Sequence, residues 1–316
     1  MKNIIKTNYK KLDYFSISFE SNLEKQIDKL PKEVKFCKKC VVSNQRPRIV
    51  FDKEGVCGAC RWAEEKQKID WKLRKKEFED LLNKYRKNNG EYDVLVPGSG
   101  GKDSGMIAHV LKYKYKMNPL YVTWSPLLYT KIGMQNLQNL YSSGIDGTLF
   151  TPNRELQRKI SLLGLVYLGN HFEAFGRGQM SYPFHVAKEL NIQLLMSGEN
   201  GELEYGGSLK DKDLPGRDIE DFVELYHKGS NTDSLINQGI KDGILTEKEA
   251  THPSIKYYSP PTKQELLEKK IKFVWFGYFH KWIPQENFYY ASKNYNFDVN
   301  PEGRSEGTYN KYASLD

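Results

Sequence analysis

Cysteine is scarce in this chain of 316 residues: there are four, and none follows Cys60. A disulfide framework of the kind that holds small secreted domains together is therefore excluded for most of the chain. A Cys–His pair able to hydrolyse glutamine is also excluded after residue 60. Any chemistry of the larger, carboxyl-terminal part must use other side chains.

Long apolar runs are also lacking. No stretch approaches the ~18 apolar residues that a membrane span needs, and residues 1–6 show no apolar core of a secretory signal. We therefore expect a cytoplasmic protein with no membrane partner. Hydrophobic residues make up 39% of the chain, which is enough to build a buried core at this length.

Acidic residues are fewer than basic ones, 40 against 48, so the net charge is +8. Such an excess suits a polyanion such as tRNA. It arises equally from a lysine-rich composition in a protein that binds only small anions. Charge alone does not separate these cases, and we do not expect nucleic acid among the partners.

The four cysteines form two C-x2-C pairs with sixteen residues between them, at Cys37, Cys40, Cys57 and Cys60. This spacing is typical of four thiolates around one structural Zn²⁺; a redox or iron–sulfur role is the alternative. Four nearby cations are predicted to offset the thiolate charge: Lys35, Lys38, Lys39 and Arg61. The pattern predicts a zinc-ribbon module over residues 36–62, after an unassigned segment 1–35 and before a charged linker helix over 63–90.

A glycine-rich loop at residues 98–104 has the sequence GSGGKDS, after an apolar run and before a helical pattern. Gly98, Gly100 and Gly101 let backbone N–H groups approach an anion, and the helix N-terminus adds partial positive charge. Lys102 offers an ammonium, and the hydroxyls are those of Ser99 and Ser104. The spacing is not that of Walker A, yet the loop predicts a phosphate site.

Strands and helices alternate from residue 92 onward, which predicts a parallel sheet with helices on both faces. Strands are predicted at 93–96, 120–124, 147–150, 194–197 and 273–276. Ligands bind at the carboxyl ends of such strands, so we expect residues 98–104, 123–126 and 197–207 to share one rim. Thr123 and Gly198 are accordingly predicted to contact a nucleotide. Roughly residues 208–262 break the alternation and predict an inserted helical cap or lid.

Three carboxylates lie within six residues after the fourth predicted strand, in the segment ENGELE at 199–204. Carboxylates beside a phosphate site are natural Mg²⁺ ligands, with Asp103 as a further candidate, or they act as a general base. A solvated acidic loop is the alternative. Upstream, Arg177 is predicted to hold a phosphate or a carboxylate.

The SGGKDS loop resembles the signature of the PP-loop ATP pyrophosphatases, which release pyrophosphate from ATP and adenylate an oxygen. With the cysteine pairs, the segment MSGENGELEYGG, the aromatic run 276–282 and the closing segment 306–316, the chain resembles the N-acetyl sugar amidotransferases of pseudaminic acid and related surface-sugar pathways. The resemblance covers roughly residues 35–316. It implies an adenine-nucleotide α-hydrolase-like (PP-loop) domain over 91–316. Members of this branch usually continue past the closing segment into further helices.

The resemblance implies that ATP adenylates the acetamido oxygen of an N-acetylated sugar acid and that ammonia then displaces AMP to give an acetamidino group. Ammonia is expected as free ammonium or from a separate glutaminase subunit. The implied catalytic residues are Lys102, Asp103, Glu199 and Glu202, with ATP, Mg²⁺ and Zn²⁺ bound. A tRNA-thiolating or lysidine-type PP-loop enzyme and a non-enzymatic zinc-ribbon adaptor are the alternatives. A homo-oligomeric state is left open.

Overall fold

A parallel β-sheet forms the centre of the computed structural model, which describes residues 31–46, 48–217 and 231–301. The strands are β1 (Val94–Pro97), β2 (Pro119–Trp124), β3 (Asp146–Phe150), β4 (Leu194–Ser197) and β5 (Lys272–Trp275). They lie in the order β3-β2-β1-β4-β5, and all neighbouring pairs are parallel. The predicted α/β class is confirmed, and each predicted strand ends within one residue of the observed one.

Helices cover both faces of this sheet. In the described residues they are α1 (Gly58–Glu65), α2 (Trp71–Tyr85), α3 (Lys102–Tyr113), α4 (Lys131–Ser142), α5 (Arg154–Leu168), α6 (Glu173–Glu189), α7 (Gly201–Glu204), α8 (Thr232–Lys241), α9 (Glu247–Ala250), α10 (Lys263–Glu268), α11 (Phe276–Phe279) and α12 (Pro284–Tyr295). None of these has the length and apolar character that a bilayer span requires.

The central strand β1 shows how the sequence builds two cores. Successive side chains of a strand point to opposite faces, and here all three apolar residues are buried. Val94 and Val96 pack with helices α2, α3, α4 and α12 on one face. Leu95 packs with α6 and α10 on the other. A continuous apolar run is the expected pattern for a strand that is covered on both sides.

The segment 63–90, predicted as one helix, is instead divided between two. Asp70 accepts hydrogen bonds from the backbone N–H groups of Lys72 and Leu73, at 3.0 and 3.1 Å, and so caps the start of α2. The indole of Trp71 donates to the carbonyl oxygen of Lys66, at 3.0 Å, just past the end of α1. These local bonds break the helix where charge patterning alone gave no signal.

In the described part of the insert predicted over 208–262, residues 208–217 form turns and the helices lie within residues 232–258. Helices α8 and α9 and a 3₁₀ turn (Ile255–Tyr258) pack against α5 and α6 and bury Leu235, Ile236 and Tyr258. Residues 218–230 of the insert lie outside the described residues, as do 1–30 of the amino-terminal segment and the closing segment 306–316. The role of the insert as a lid remains a prediction.

Candidate active site

The glycine loop turns sharply between β1 and α3. A Cβ at position 98 would collide with the hydroxyls of Tyr121 and Ser104, and Gly100 has φ +80°, a conformation that favours glycine. The N–H of Gly98 donates to the carbonyl oxygen of Val122 at 3.0 Å. The loop therefore lies close against β2, with Gly101 as the N-cap of α3.

Tyr121 supports this loop from below. Its hydroxyl accepts a hydrogen bond from the N–H of Gly100, at 2.9 Å, and shares another with Ser104 Oγ, at 2.7 Å. The side chain is completely buried, and burial raises its pKa far above the ordinary value. Tyr121 is therefore a neutral hydrogen-bonding partner that fixes the loop.

The first two residues of α3 form a close pair of opposite charges. Lys102 is buried, and its Nζ lies 2.5 Å from Oδ2 of Asp103, whose side chain is 35% exposed. Two residues of helix α12 form hydrogen bonds with this pair. Asn287 donates to Oδ1 of Asp103 at 2.8 Å. The Tyr295 hydroxyl donates to the carbonyl oxygen of Lys102 at 3.1 Å. The carboxylate thus has a fixed direction while remaining open to a ligand.

The acidic segment follows β4 directly. Asn200 caps helix α7 by accepting from the N–H of Glu202, at 3.1 Å. Before this cap lies Glu199, to whose Oε1 the Tyr205 hydroxyl donates at 2.6 Å. Burial raises the pKa of the Glu199 carboxyl, the negative charge of Asp103 adds to that rise, and the hydrogen bond from Tyr205 opposes it. The pKa of Glu199 therefore lies above its ordinary value, which is the direction that favours a general base.

The other two carboxylates of the segment have partners in the amino-terminal module. Glu202 Oε2 lies 3.2 Å from Nη2 of Arg48. Glu204 accepts from the indole of Trp62 and from Lys66 Nζ, both at 2.7 Å. Glu204 thus binds the amino-terminal module to the sheet domain, whereas Glu199 and Glu202 both line a cavity.

This cavity of about 370 Å³ opens between the ends of β1 and β4. The strand order changes direction between these two strands, and ligands of open α/β sheets bind at such a point. Its volume lies within the range of about 300–1,000 Å³ typical of small-molecule sites. Its walls come from the strand ends, from α6, from the acidic segment and from the amino-terminal module.

The four cysteine sulfurs cluster within 4.8 Å of one another. The Sγ atoms of Cys37 and Cys60 are 4.0 Å apart, and those of Cys40 and Cys57 are 3.6 Å apart. A tetrahedral site with Zn–S bonds of about 2.3 Å requires sulfur separations of about 3.8 Å. Burial opposes ionisation of Cys37, but backbone N–H groups, including those of Cys57 and Lys39, lower its pKa to about 6. The four cysteines fit a Zn²⁺ ion.

Three predicted nucleotide contacts have different settings. Ser99 is half-buried in the loop, and Thr123 is completely buried in β2. Gly198 lies against Trp282, and its carbonyl oxygen accepts from the N–H of Gly277 at 3.0 Å. All three lie at the carboxyl ends of β1, β2 or β4, as predicted, and their contact with a nucleotide remains a prediction.

No protein-family model matches the chain. Over 183 residues, or 54% of its length, it is 25% identical to "Uncharacterized protein MJ1599" of Methanocaldococcus jannaschii. That match spans 61% of the relative's length. At this identity and coverage the relative does not establish a family for the chain.

Solved structures with a similar arrangement include an NH3-dependent NAD synthetase from Campylobacter jejuni, with 16% identity and a TM-score of 0.34 over 64% of this chain and 93% of the other. An NMN synthetase from Francisella tularensis has 12% identity and a TM-score of 0.32, over 72% and 94%. A predicted tRNA methyltransferase subunit from Methanocaldococcus jannaschii has 15% identity and a TM-score of 0.31, over 63% and 73%. Likenesses this distant carry no argument about activity.

Arg177 does not take the ligand-binding role predicted for it. The side chain is 1% exposed, its Nε donates to Glu173 at 2.7 Å, and its Nη1 donates to Thr232 at 2.9 Å. It is a buried ion pair that joins α6 to the start of α8. The sequence predicted a cation in a polar stretch. It did not indicate that helix α6 begins at Glu173, which brings this carboxylate one helical turn from Arg177 and pairs the two.

The cations predicted to offset the cysteine thiolates are also differently engaged. Arg61 pairs with Asp52, Glu54 and Glu64, and Lys39 also pairs with Glu64. These ion pairs stabilise the surface of the module. Backbone N–H groups, rather than these two cations, face the sulfur of Cys37.

Sequence reasoning missed three residues that shape the site: Tyr121, Asn287 and Tyr205. Each contributes a polar atom to a loop or carboxylate that was itself predicted. Only Tyr121 gave a signal in the sequence, because it lies in the middle of an apolar strand. A buried hydroxyl needs a hydrogen-bond partner, so a polar contact was to be expected there.

Proposed function

We propose that this chain is a PP-loop enzyme that cleaves ATP to AMP and pyrophosphate. The observation that carries the proposal is the placement of the SGGKDS loop and the carboxylates Asp103 and Glu199 at the ends of adjacent strands, where the sheet order reverses. Backbone N–H groups of the loop, the start of α3 and buried Lys102 together favour a polyphosphate.

In the first step, the loop and Lys102 hold the β- and γ-phosphates and stabilise pyrophosphate as it leaves. Asp103 is the proposed Mg²⁺ ligand, because its carboxylate is aimed by Asn287 and partly exposed. Mg²⁺ commonly binds through one or two carboxylates plus substrate phosphates. When bound, it offsets the negative charge of the leaving group.

The group that displaces pyrophosphate in this first step is the acetamido oxygen of an N-acetylated sugar acid. Its attack on the α-phosphorus breaks the bond to the β-phosphate oxygen, and loss of the amide proton gives an O-adenylyl imidate. In the second step, ammonia adds to the imidate carbon and AMP leaves, so that C=NH replaces C=O. Glu199 accepts the proton that the incoming nitrogen gives up, which its raised pKa supports. Ammonia comes from free ammonium or from a separate glutaminase.

A tRNA-modifying PP-loop enzyme is the competing function. The small cavity beside Glu199 favours a small acceptor over a polynucleotide. A thiolating enzyme that carries sulfur on its own cysteine is disfavoured, since no cysteine follows residue 60. Both functions share the ATP chemistry and differ in the acceptor.

The test is turnover with ATP, Mg²⁺, ammonium and a panel of N-acetylated nonulosonic acids. Phosphorus NMR should show AMP and pyrophosphate that depend on the sugar, and mass spectrometry should show a slightly lighter, basic amidine. ADP as the product would refute the ATP chemistry. AMP formed only with tRNA would instead establish the competing function.

A further inference from the structure

Two arginines of the cysteine module, Arg46 and Arg48, line the cavity together with residues at the ends of β1 and β4. We propose that Arg48, assisted by Arg46, binds the carboxylate of the acceptor and so makes the enzyme selective for acids. This inference rests on the proposed function, because it names the part of the acceptor that the same site recognises. It assigns to the cysteine module a direct part in substrate binding.

The module is fixed to the site by backbone contacts. The N–H of Val50 donates to the carbonyl oxygen of Gly206 at 2.9 Å. Gly58 packs so closely on Gly207 that a Cβ there would lie 2.8 Å from the Gly207 carbonyl oxygen. The ion pair between Lys66 and Glu204, with side chains 12% and 15% exposed, completes the junction. Arg46 and residues 48–50 therefore have a defined position beside the acidic segment.

Arg48 is aimed into this cavity by an unusual backbone. Its φ is +65°, which is rare and costly for a residue with a side chain, and such conformations cluster at functional sites. Its guanidinium lies 3.2 Å from Glu202 while half of the side chain remains exposed. A guanidinium has five N–H donors, so the ion pair orients it and leaves donors for an anion.

The two arginines, Arg48 and Arg46, suit a carboxylate in particular. A planar guanidinium matches the two oxygens of a carboxylate, and Arg46 is held nearby by the carbonyl oxygen and ring of Tyr205. The lining also includes Met180, Phe184 and Phe273, which suit apolar groups such as an acetyl methyl. Arg48 and Glu199 line the same cavity, so one acceptor can contact both.

The experiment measures binding of N-acetylneuraminic acid and of its methyl ester by calorimetry, in the presence of a non-hydrolysable ATP analogue. Wild type should bind the acid about tenfold or more tightly than the ester. Arg48→Gln should weaken binding of the acid by about tenfold to a hundredfold, which is the scale for a charged hydrogen bond. It should leave the affinity for the ester within about twofold of that of wild type. Arg48→Lys should retain part of the preference.

Lys53→Gln is the matched control, because it removes one positive charge from an exposed position of the same module that does not line the cavity. It should leave both affinities unchanged. Zinc content and thermal unfolding of each variant report whether the module is intact.

The inference is overturned if wild type shows no preference for the acid, or if Lys53→Gln weakens acid binding as much as Arg48→Gln does. It is also overturned if Arg48→Gln instead lowers the retention of tRNA. Failure of the ATP chemistry has a separate signature. Formation of ADP refutes the proposed function even where the acid preference persists, and sugar-dependent AMP supports it even where Arg48→Gln has no effect.

Discussion

The hydroxyl of Tyr205 donates a 2.6 Å hydrogen bond to the carboxylate of Glu199, six residues earlier in the chain. The bond lowers the pKa of Glu199, against the rise caused by burial. Tyr205 therefore offsets part of the rise in the pKa of Glu199 that burial causes.

Tyr205→Phe should move the acidic limb of the pH–rate profile to higher pH. Without the hydrogen bond the pKa of Glu199 rises further, and a base acts only above its pKa. Tyr289→Phe, at an exposed position of α12, is the control and should leave the limb in place. An unmoved limb in Tyr205→Phe would exclude Glu199 as the base.

Glu199→Gln should abolish amidine formation without lowering stability at neutral pH. The folded-state pKa of Glu199 is raised, so its contribution to stability is full at low pH and is lost as pH rises through that pKa. The stability of the variant relative to wild type should therefore increase as the pH rises above about 4, the ordinary pKa of Glu. Thermal unfolding of both proteins at a low and a higher pH measures this. A variant that is less stable at the higher pH would contradict the assignment.

Lys102→Met should reduce turnover by about 10²–10³-fold, the scale for one preorganised charge-stabilising group. The near-isosteric side chain avoids a void in the buried position. The sugar acid should still bind, which calorimetry checks. The reference variant is Lys131→Met at the start of α4, an exposed lysine at a helix start, where turnover should stay within about twofold of wild type, as for surface substitutions. Equal losses in both variants would argue against a phosphate-binding role for Lys102.

Cys37→Ser should lose the single Zn²⁺ that metal analysis is expected to find in each chain. Because the module is too small to build a core of its own, loss of the metal should lower its unfolding temperature. Binding of the ATP analogue should persist, since the loop at 98–104 lies on a different element. Full zinc occupancy in Cys37→Ser, or an iron–sulfur absorption band in wild type, would disprove the assignment.

Glu204→Gln should destabilise the contact between the module and the sheet domain by about 1–3 kcal/mol, since it removes the counter-charge of Lys66 in a nearly buried position. Glu54→Gln removes an exposed ion pair of Arg61 and should cost less than about 1 kcal/mol. Denaturant unfolding gives both values. A neutral Glu204→Gln variant would mean that backbone contacts alone hold the junction.

The sequence was sufficient for the parts of the site that are local. The strand–loop–helix order around Lys102 and the spacing of the cysteines are patterns of neighbouring residues, and β1 and the loop lie where they were predicted. The contact of Asn287 with Asp103 joins residues 184 positions apart, and periodicity carries no information on such a pairing. The same limit applies to the contact of Arg177 with Thr232 on α8, 55 positions away, whereas its ionic partner Glu173 is only four positions away.

The close contact of Gly58 in α1 with Gly207, just after α7, joins the cysteine module to the sheet domain through backbone atoms. A Cβ at either position would collide with neighbouring atoms, so this part of the joint admits no side chain. A shortened protein that begins at α2 would have an open cavity with no arginines at its mouth. Grafting this module onto another α/β domain would require a matching pair of glycines there. A substitution on one side of this contact is therefore expected to be tolerated only with a matching change on the other side.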